Sequence, residues 1–215
     1  MALTDSRPRK KGGAVSDQPA GPTRAERTRA KLVEAAIDEF SSVGFHEAKI
    51  SGIVARAGLT QPTFYLYFKT KDAIHEHLVE RVHDELLAVI AQARLPAALP
   101  EDEIREKMRS AIRAFLKYFA DNPKLAPIGY FAQESGASIR EEIVELVAQN
   151  VAFEQRAGYF RPDLDAVFAS HCYNGALERV IKVYLSGGRC EANALAEKVA
   201  DIFLFGFLPT IGKPA

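Results

Sequence analysis

Ala57-Gly58-Leu59-Thr60-Gln61-Pro62-Thr63-Phe64-Tyr65-Leu66-Tyr67-Phe68-Lys69-Thr70-Lys71-Asp72 is the stretch on which the fold turns. Gly58 offers the left-handed residue that commonly ends a helix, and Thr60, just beyond it, is placed to cap the next one. Pro62 is tolerated in the first turn of that helix, where its missing N–H costs nothing. Phe64 and Phe68 are four residues apart and share one inward face, so Tyr65 and Tyr67 cannot both point inward with them. Thr70 then caps a third helix, with Asp72 in the first turn where the helix dipole favours an acid.

Upstream, Ile50, Ile53 and Val54 form the inner face of a short helix that stops at Gly58. Before it, Thr23-Arg-Ala-Glu26 is a capping box opening a helix over about 24–43, with Leu32, Val33, Ala36, Ile37 and Phe40 on one face and Gly44 at its end. Helix, Gly-containing turn, helix is the helix-turn-helix outline. Downstream, the helix opened by Thr70 runs over about 71–94 to Pro96, a length of about 36 Å. Ile104, Met108, Ile112, Phe115, Leu116 and Phe119 then keep the helical period as far as Asn122-Pro123. A broken stretch is expected from Pro127 to Phe131. Ser138-Ile-Arg-Glu141, a second capping box, is expected to open a helix closing at Gly158, and Asp163 to cap one ending at Ser186 before Gly187-Gly188. A last helix covers about 192–208. No segment alternates with period two, so the expected fold class is all-α.

Of 215 residues, 47% are hydrophobic and 26% charged, as in an ordinary globular protein. No apolar run approaches the ~20 residues that cross a bilayer, which excludes a membrane partner. No apolar segment follows the basic N-terminus as it would in a secretory signal, and the cytoplasm is the expected location. Cys172 and Cys190 alone make neither a disulfide framework nor a zinc site. His171-Cys172 lacks the ligand count for a metal, and His75, His77 and His83 do not converge on one. Glu76-Glu80 and Glu141-Glu142-Glu145 read as solvated helix faces. No catalytic residues, metal ligands or cofactor site are expected, and the chain does not read as an enzyme. The formal net charge is zero, yet residues 1–71 hold 12 Lys/Arg against 7 Asp/Glu and residues 72–215 hold 16 against 21. That asymmetry points to a nucleic-acid-facing N-terminal part. Residues 1–22, with Arg7, Arg9, Lys10 and Lys11 among glycines and prolines, read as a disordered basic tail able to add non-specific attraction to phosphate.

With Gly44-Phe45, Ile50, Ile53-Val54, Ala57-Gly58-Leu59-Thr60 and Thr63 through Asp72 in this order and spacing, residues 24–80 resemble the DNA-binding domain of the TetR (tetracycline-repressor) family. The resemblance implies a three-helix helix-turn-helix domain over 23–70. It also implies a larger helical domain over 71–215 that binds an effector and dimerises. Recognition helices set their N-terminal residues against base edges, here Thr60, Gln61 and Thr63, and a glutamine can pair bidentately with adenine. Tyr65 and Tyr67 match positions that contact DNA in the family. Lys71, at a helix start, is expected to hold a phosphate with its ammonium. Arg24 and Arg27 are phosphate candidates. Pro62 stands where the family most often has glycine. Ala48-Lys49 replaces two hydroxyl residues, so Lys49 supplies a point charge while Ser51 or water serves the amides of the second helix.

The larger half shows only helix count and length. Ile202-Phe203-Leu204-Phe205-Gly206-Phe207-Leu208 is apolar nearly all round, and the preceding helix carries Ala169, Cys172, Tyr173, Ala176, Leu177, Val180 and Tyr184 with the small Gly175. A homodimer seam through the last two helices would bury both faces. The candidate effector residues are the aromatics Phe115, Phe119, Tyr130, Phe131, Phe153 and Tyr173. They suggest an apolar or amphipathic small molecule. Some family members with a similar recognition helix resemble fatty-acid regulators that answer to long acyl-CoA thioesters. The expected function is a homodimeric repressor released from a palindromic double-stranded operator by such an effector. A ligand-binding helical protein that has lost specific DNA binding, or a small helical enzyme, stands as the alternative.

Overall fold

A computed structural model describes residues 21–132, 134–185 and 190–206. Among them are nine α-helices and no strand. In order these are α1 (Arg24–Glu47), α2 (Ile50–Ala57), α3 (Gln61–Tyr65), α4 (Lys71–Gln92), α5 (Glu101–Asp121), α6 (Leu125–Tyr130), α7 (Glu134–Arg156), α8 (Ala166–Val180) and α9 (Ala192–Phe205). A π-helical turn, Ile181–Leu185, continues α8. The expected basic tail lies almost wholly outside the described residues, as do Gly187-Gly188 and Phe207-Leu208.

Local chemistry accounts for the first four helices. The Thr23–Glu26 box closes, with the Glu26 N–H donating to Thr23 Oγ1 at 3.2 Å and the Thr23 N–H to Glu26 Oε2 at 2.7 Å. Gly44 adopts φ 79° and kinks α1, which resumes for one more turn. Gly58 takes the left-handed conformation, φ 64°, that ends α2. Thr60 and Thr70 cap α3 and α4 by accepting from Thr63 N–H and Ala73 N–H.

A single hydrophobic core runs through both halves. Leu32, Ile37 and Phe40 of α1 meet Ile53, Phe64 and the N-terminal part of α4, and Leu86 and Ile90 of α4 continue into Phe115, Leu116 and Ile143. On α4 the buried stripe is Ile74, Leu78, Val82, Leu86 and Ile90, so one helix of about 33 Å belongs to both halves. The Lys124 ammonium adds a tie across them, 2.6 Å from Asp38 of α1.

Three expectations need correction. The stretch at Pro127 is helical, because the proline falls in the first turn of α6, where no N–H is required of it. Ser138-Glu141 does not open α7, which begins a turn earlier at Glu134; Arg140, one turn further in, donates to the Tyr130 carbonyl and draws α7 against α6. Asp165, not Asp163, caps α8, its Oδ1 accepting from the N–H groups of Val167 and Phe168 at 3.0 Å each.

Candidate nucleic-acid interface and effector cavity

The short α3 is held from behind and open in front. Phe64 and Phe68 are buried in the core, Phe68 between Arg29 of α1 and His77 of α4, while Gln61, Pro62, Tyr65 and Leu66 are exposed, Tyr65 at 53% and Leu66 at 81%. The Thr60 and Thr63 hydroxyls lie 3.0 Å apart and share a hydrogen bond, which fixes both at the start of the helix. Thr63 and Tyr67 are half-buried. Arg24 and Arg27 at the start of α1, and Lys49 and Ser51 at the start of α2, are all exposed. Lys49 is the N-cap of α2 with no side-chain cap bond. Thr60, Gln61, Arg24, Arg27, Lys49 and Ser51, from the starts of three helices, are polar, exposed and without a carboxylate partner among the described residues. Leu66 escaped the sequence reading because an apolar residue in an aromatic run reads as core.

Lys71 has a different role from the one expected of its ammonium. It donates to the carbonyls of Phe45 (2.7 Å), His46 (3.2 Å) and Ala48 (3.0 Å), and lies 4.5 Å from the Phe45 ring. All three protons are taken by the end of α1, leaving none for a phosphate. The contact is also favourable electrostatically, because a cation sits at a helix C-terminus.

Behind α3, Glu39 of α1 is only 9% exposed and accepts from Arg56 Nε of α2 at 2.7 Å. This pair is close because position 52 is glycine: a Cβ there would stand 2.1 Å from Glu39 Oε1. Arg56 also reaches Ser42 Oγ at 3.1 Å. The geometry locks α2 to α1 and so sets the platform on which α3 rests.

In the larger half a cavity of about 690 Å³ opens among α4, α5, α7, α8 and α9. Of the expected aromatics, Phe115 and Tyr173 line it. The other four are elsewhere. Phe119, Tyr130 and Phe131 pack on one another with ring centroids 5.0 Å apart for Phe119–Tyr130 and Tyr130–Phe131, and Phe153 lies under the Arg94 guanidinium at 3.8 Å. The sequence reading missed Phe160, Phe168 and Phe203, and two polar wall residues, Asn150 and Glu154. A signal for the last two existed: Ile143, Val147, Asn150 and Glu154 follow one helical stripe, so two polar residues interrupt a buried face. Glu154 is 6% exposed, and burial holds its carboxyl above the ordinary carboxylate range. Burial likewise raises the Tyr173 phenol.

A family model for bacterial regulatory proteins of the tetR family matches residues 32–78. The chain is 31% identical over 182 residues to an uncharacterized HTH-type transcriptional regulator, YdgC, of Bacillus subtilis (strain 168), covering 85% of this chain and 93% of that one. The chain belongs to the TetR family. It is a transcriptional regulator of the TetR type, with an N-terminal helix-turn-helix domain followed by a larger helical domain. A TetR-like regulator from Rhodococcus sp. RHA1 superposes with a TM-score of 0.69 at 27% identity, over 86% of this chain and 97% of that one. FadR of Bacillus subtilis, solved in complex with stearoyl-CoA, shares the fold with a TM-score of 0.68 at 18% identity, over 83% of this chain and 99% of that one. Within this TetR-family chain, no described helix is long and apolar enough to cross a membrane, and no described group of His, Cys, Asp or Glu side chains converges to hold a metal ion.

Proposed function

We propose that this TetR-family protein is a homodimeric, effector-released repressor acting in the cytoplasm. Residues 23–70 read the operator, and residues 71–215 dimerise and bind the effector. The observation that carries the reading is the front of α3, where Gln61 and Tyr65 stand exposed on a helix whose back packs on α2 and enters the core through Phe64. Thr60, Gln61, Thr63 and Tyr65 face base edges in the major groove. Arg27, Lys49, Ser51 and Tyr67 take phosphates, and Lys71 contributes only its backbone N–H at the start of α4.

Dimerisation is supported by an exposed apolar face on the last two helices. Val167 (57%), Phe168 (68%), Ile202, Phe203 and Phe205 stand in solvent in the single chain, beside the exposed Gly175, where a Cβ would meet nothing within 4 Å. A second copy packing its own α8 and α9 there buries both faces. The effector reading is supported by the cavity, whose volume lies in the range of small-molecule sites. An apolar or amphipathic molecule suits it, and acyl-CoA thioesters fall within that class. Ile90 and Ala93, at the far end of α4, line the cavity, while Lys71 at its near end grips the helix-turn-helix. An occupant that prefers a different tilt of α4 changes the separation of the two recognition helices and empties the operator.

Band shifts of DNA upstream of its own gene test the proposal. Retardation that weakens steeply with added salt is the expected result. No retardation at low salt contradicts it.

A further inference from the structure

The cavity wall carries the donors of Arg161 and Tyr173, and it also gathers oxygens that accept, from Glu154, Asn150 and Ser170. Asn150 gives one amide N–H to the Ile90 carbonyl at 3.3 Å, leaving its second N–H and Oδ1. Ser170 spends its hydroxyl proton on the Ala166 carbonyl at 2.7 Å, leaving its lone pairs. Glu154 accepts from the Leu95 N–H through Oε1 at 3.0 Å, leaving Oε2. One turn beyond Ser170, Asn174 repeats the pattern, giving Nδ2 to the Ser170 carbonyl at 2.9 Å and keeping a buried Oδ1 without a partner among the described residues. The remaining wall is apolar, with the aromatic faces of Phe115 and Phe160 inside it and Phe168 and Phe203 at its exposed rim.

Arg94 lies near this carboxylate without pairing with it, and Arg161 lines the same cavity. Arg94 is exposed and stacked on Phe153 at 3.8 Å, and Arg161, also exposed, faces Asp163 at 3.7 Å. Neither makes an ion pair with Glu154 among the described residues. A buried carboxylate whose Oε2 has no partner among the described residues, beside the Asn150 and Ser170 oxygens and aromatic rings, is complementary to a compact group rich in donors.

We propose that the effector is an amphipathic amine, with an apolar or aromatic body against the phenylalanines and a protonated amino head donating to Glu154 and Asn150. The proposal rests on the reading of this cavity as the effector site. An ammonium offers three donors and attraction to ring faces, whereas an alcohol offers one donor and a carboxylate none. The same head reaches α4 through single bonds, because Glu154 holds Leu95 just past its C-terminus and Asn150 holds Ile90 within it. Recruitment of these two side chains by the ligand therefore bears directly on the helix that carries the DNA-binding domain.

The probes are 4-phenylbutylamine, 4-phenylbutanol and 4-phenylbutyrate, with dodecanoyl-CoA alongside, titrated calorimetrically into the full chain and into Glu154→Gln. Glutamine keeps an oxygen for the Leu95 N–H, and the wild-type series needs no variant. The amine is expected to bind at least tenfold tighter than the alcohol and to release bound DNA, with the carboxylate weakest. Glu154→Gln is expected to bring the amine down to the alcohol. Equal or tighter binding of alcohol or carboxylate, or an unchanged preference in Glu154→Gln, overturns the proposal. Binding and DNA release by dodecanoyl-CoA without binding of the amine overturns it while leaving the effector reading standing. Failure of all four to bind removes both.

Discussion

Replacing Lys71 with methionine keeps the aliphatic stem and removes the ammonium that three carbonyls of the α1 terminus share at 2.7–3.2 Å. Hydrogen bonds to a charged group are each worth roughly 1.5–3 kcal/mol, but here they share one donor group and the His46 carbonyl is open to water, so the effects do not add. Water can re-solvate that carbonyl, while those of Phe45 and Ala48 are partly shielded. The net loss is expected at about 2–3 kcal/mol, which for a chain of this length lowers the melting temperature by roughly 5–10 °C. Thermal unfolding followed by circular dichroism reads the first quantity. Fluorescence anisotropy with labelled operator across a salt series, at a temperature where the variant is folded, reads the second. The log–log salt slope is expected to stay at the wild-type value, because the ammonium is not spent on DNA. An unchanged melting temperature together with a slope shallower by about 0.9 per protomer would refute the reasoning and return Lys71 to a phosphate.

Gly52→Ala is expected to destabilise the protein by about 1 kcal/mol, because the new Cβ drives the Glu39 carboxylate off Arg56; in a Glu39→Ala background the same change should stabilise by roughly 0.5–1 kcal/mol through helix propensity. Urea titrations of the four proteins check the reversal of sign. Gly175→Arg is expected to leave a cooperatively folded monomer, since the site is open within one chain, and light scattering after size exclusion shows whether the dimer is lost. Burial between the Phe40 and Phe45 rings, 5.5 and 4.3 Å away, lowers the pKa of His75 below its ordinary 6.5. The unfolded chain therefore takes up its proton first as pH falls, and stability from this group is lost below about 6.5. His75→Phe should flatten that part of the stability profile measured between pH 7.5 and 5.5.

The helix-turn-helix could be read from residues because its determinants are local. Thr23, Thr60 and Thr70 each cap a helix with a partner three residues on, and Gly58 turns the chain where it stands. The larger half yielded less, because its site is assembled from five helices. Phe119 and Phe115 share a helical face, yet only Phe115 reaches the cavity, a distinction set by where α6 delivers Tyr130. The partners of Lys71 lie 23–26 residues earlier as backbone carbonyls, which no side-chain pattern announces. Asp163 and Asp165 offer the same capping chemistry, and only the path of the chain after α7 selects Asp165. On α9 the run Ile202-Phe203-Leu204-Phe205 reads as a seam because it is apolar nearly all round, whereas the exposed Val167 and Phe168 of α8 carry no such signal.

Selection of bound duplexes from a random-sequence pool by the purified protein tests the central claim most directly. The account predicts enrichment of a two-fold related site whose half-site centres lie one helical turn, about 10–10.5 base pairs, or a multiple of it apart. Gln61→Ala should relax the preference at one or two positions in each half-site and leave the spacing unchanged. A pool that emerges without a shared motif, from a protein that is folded and at a concentration where it retards no duplex at low salt, would contradict the account.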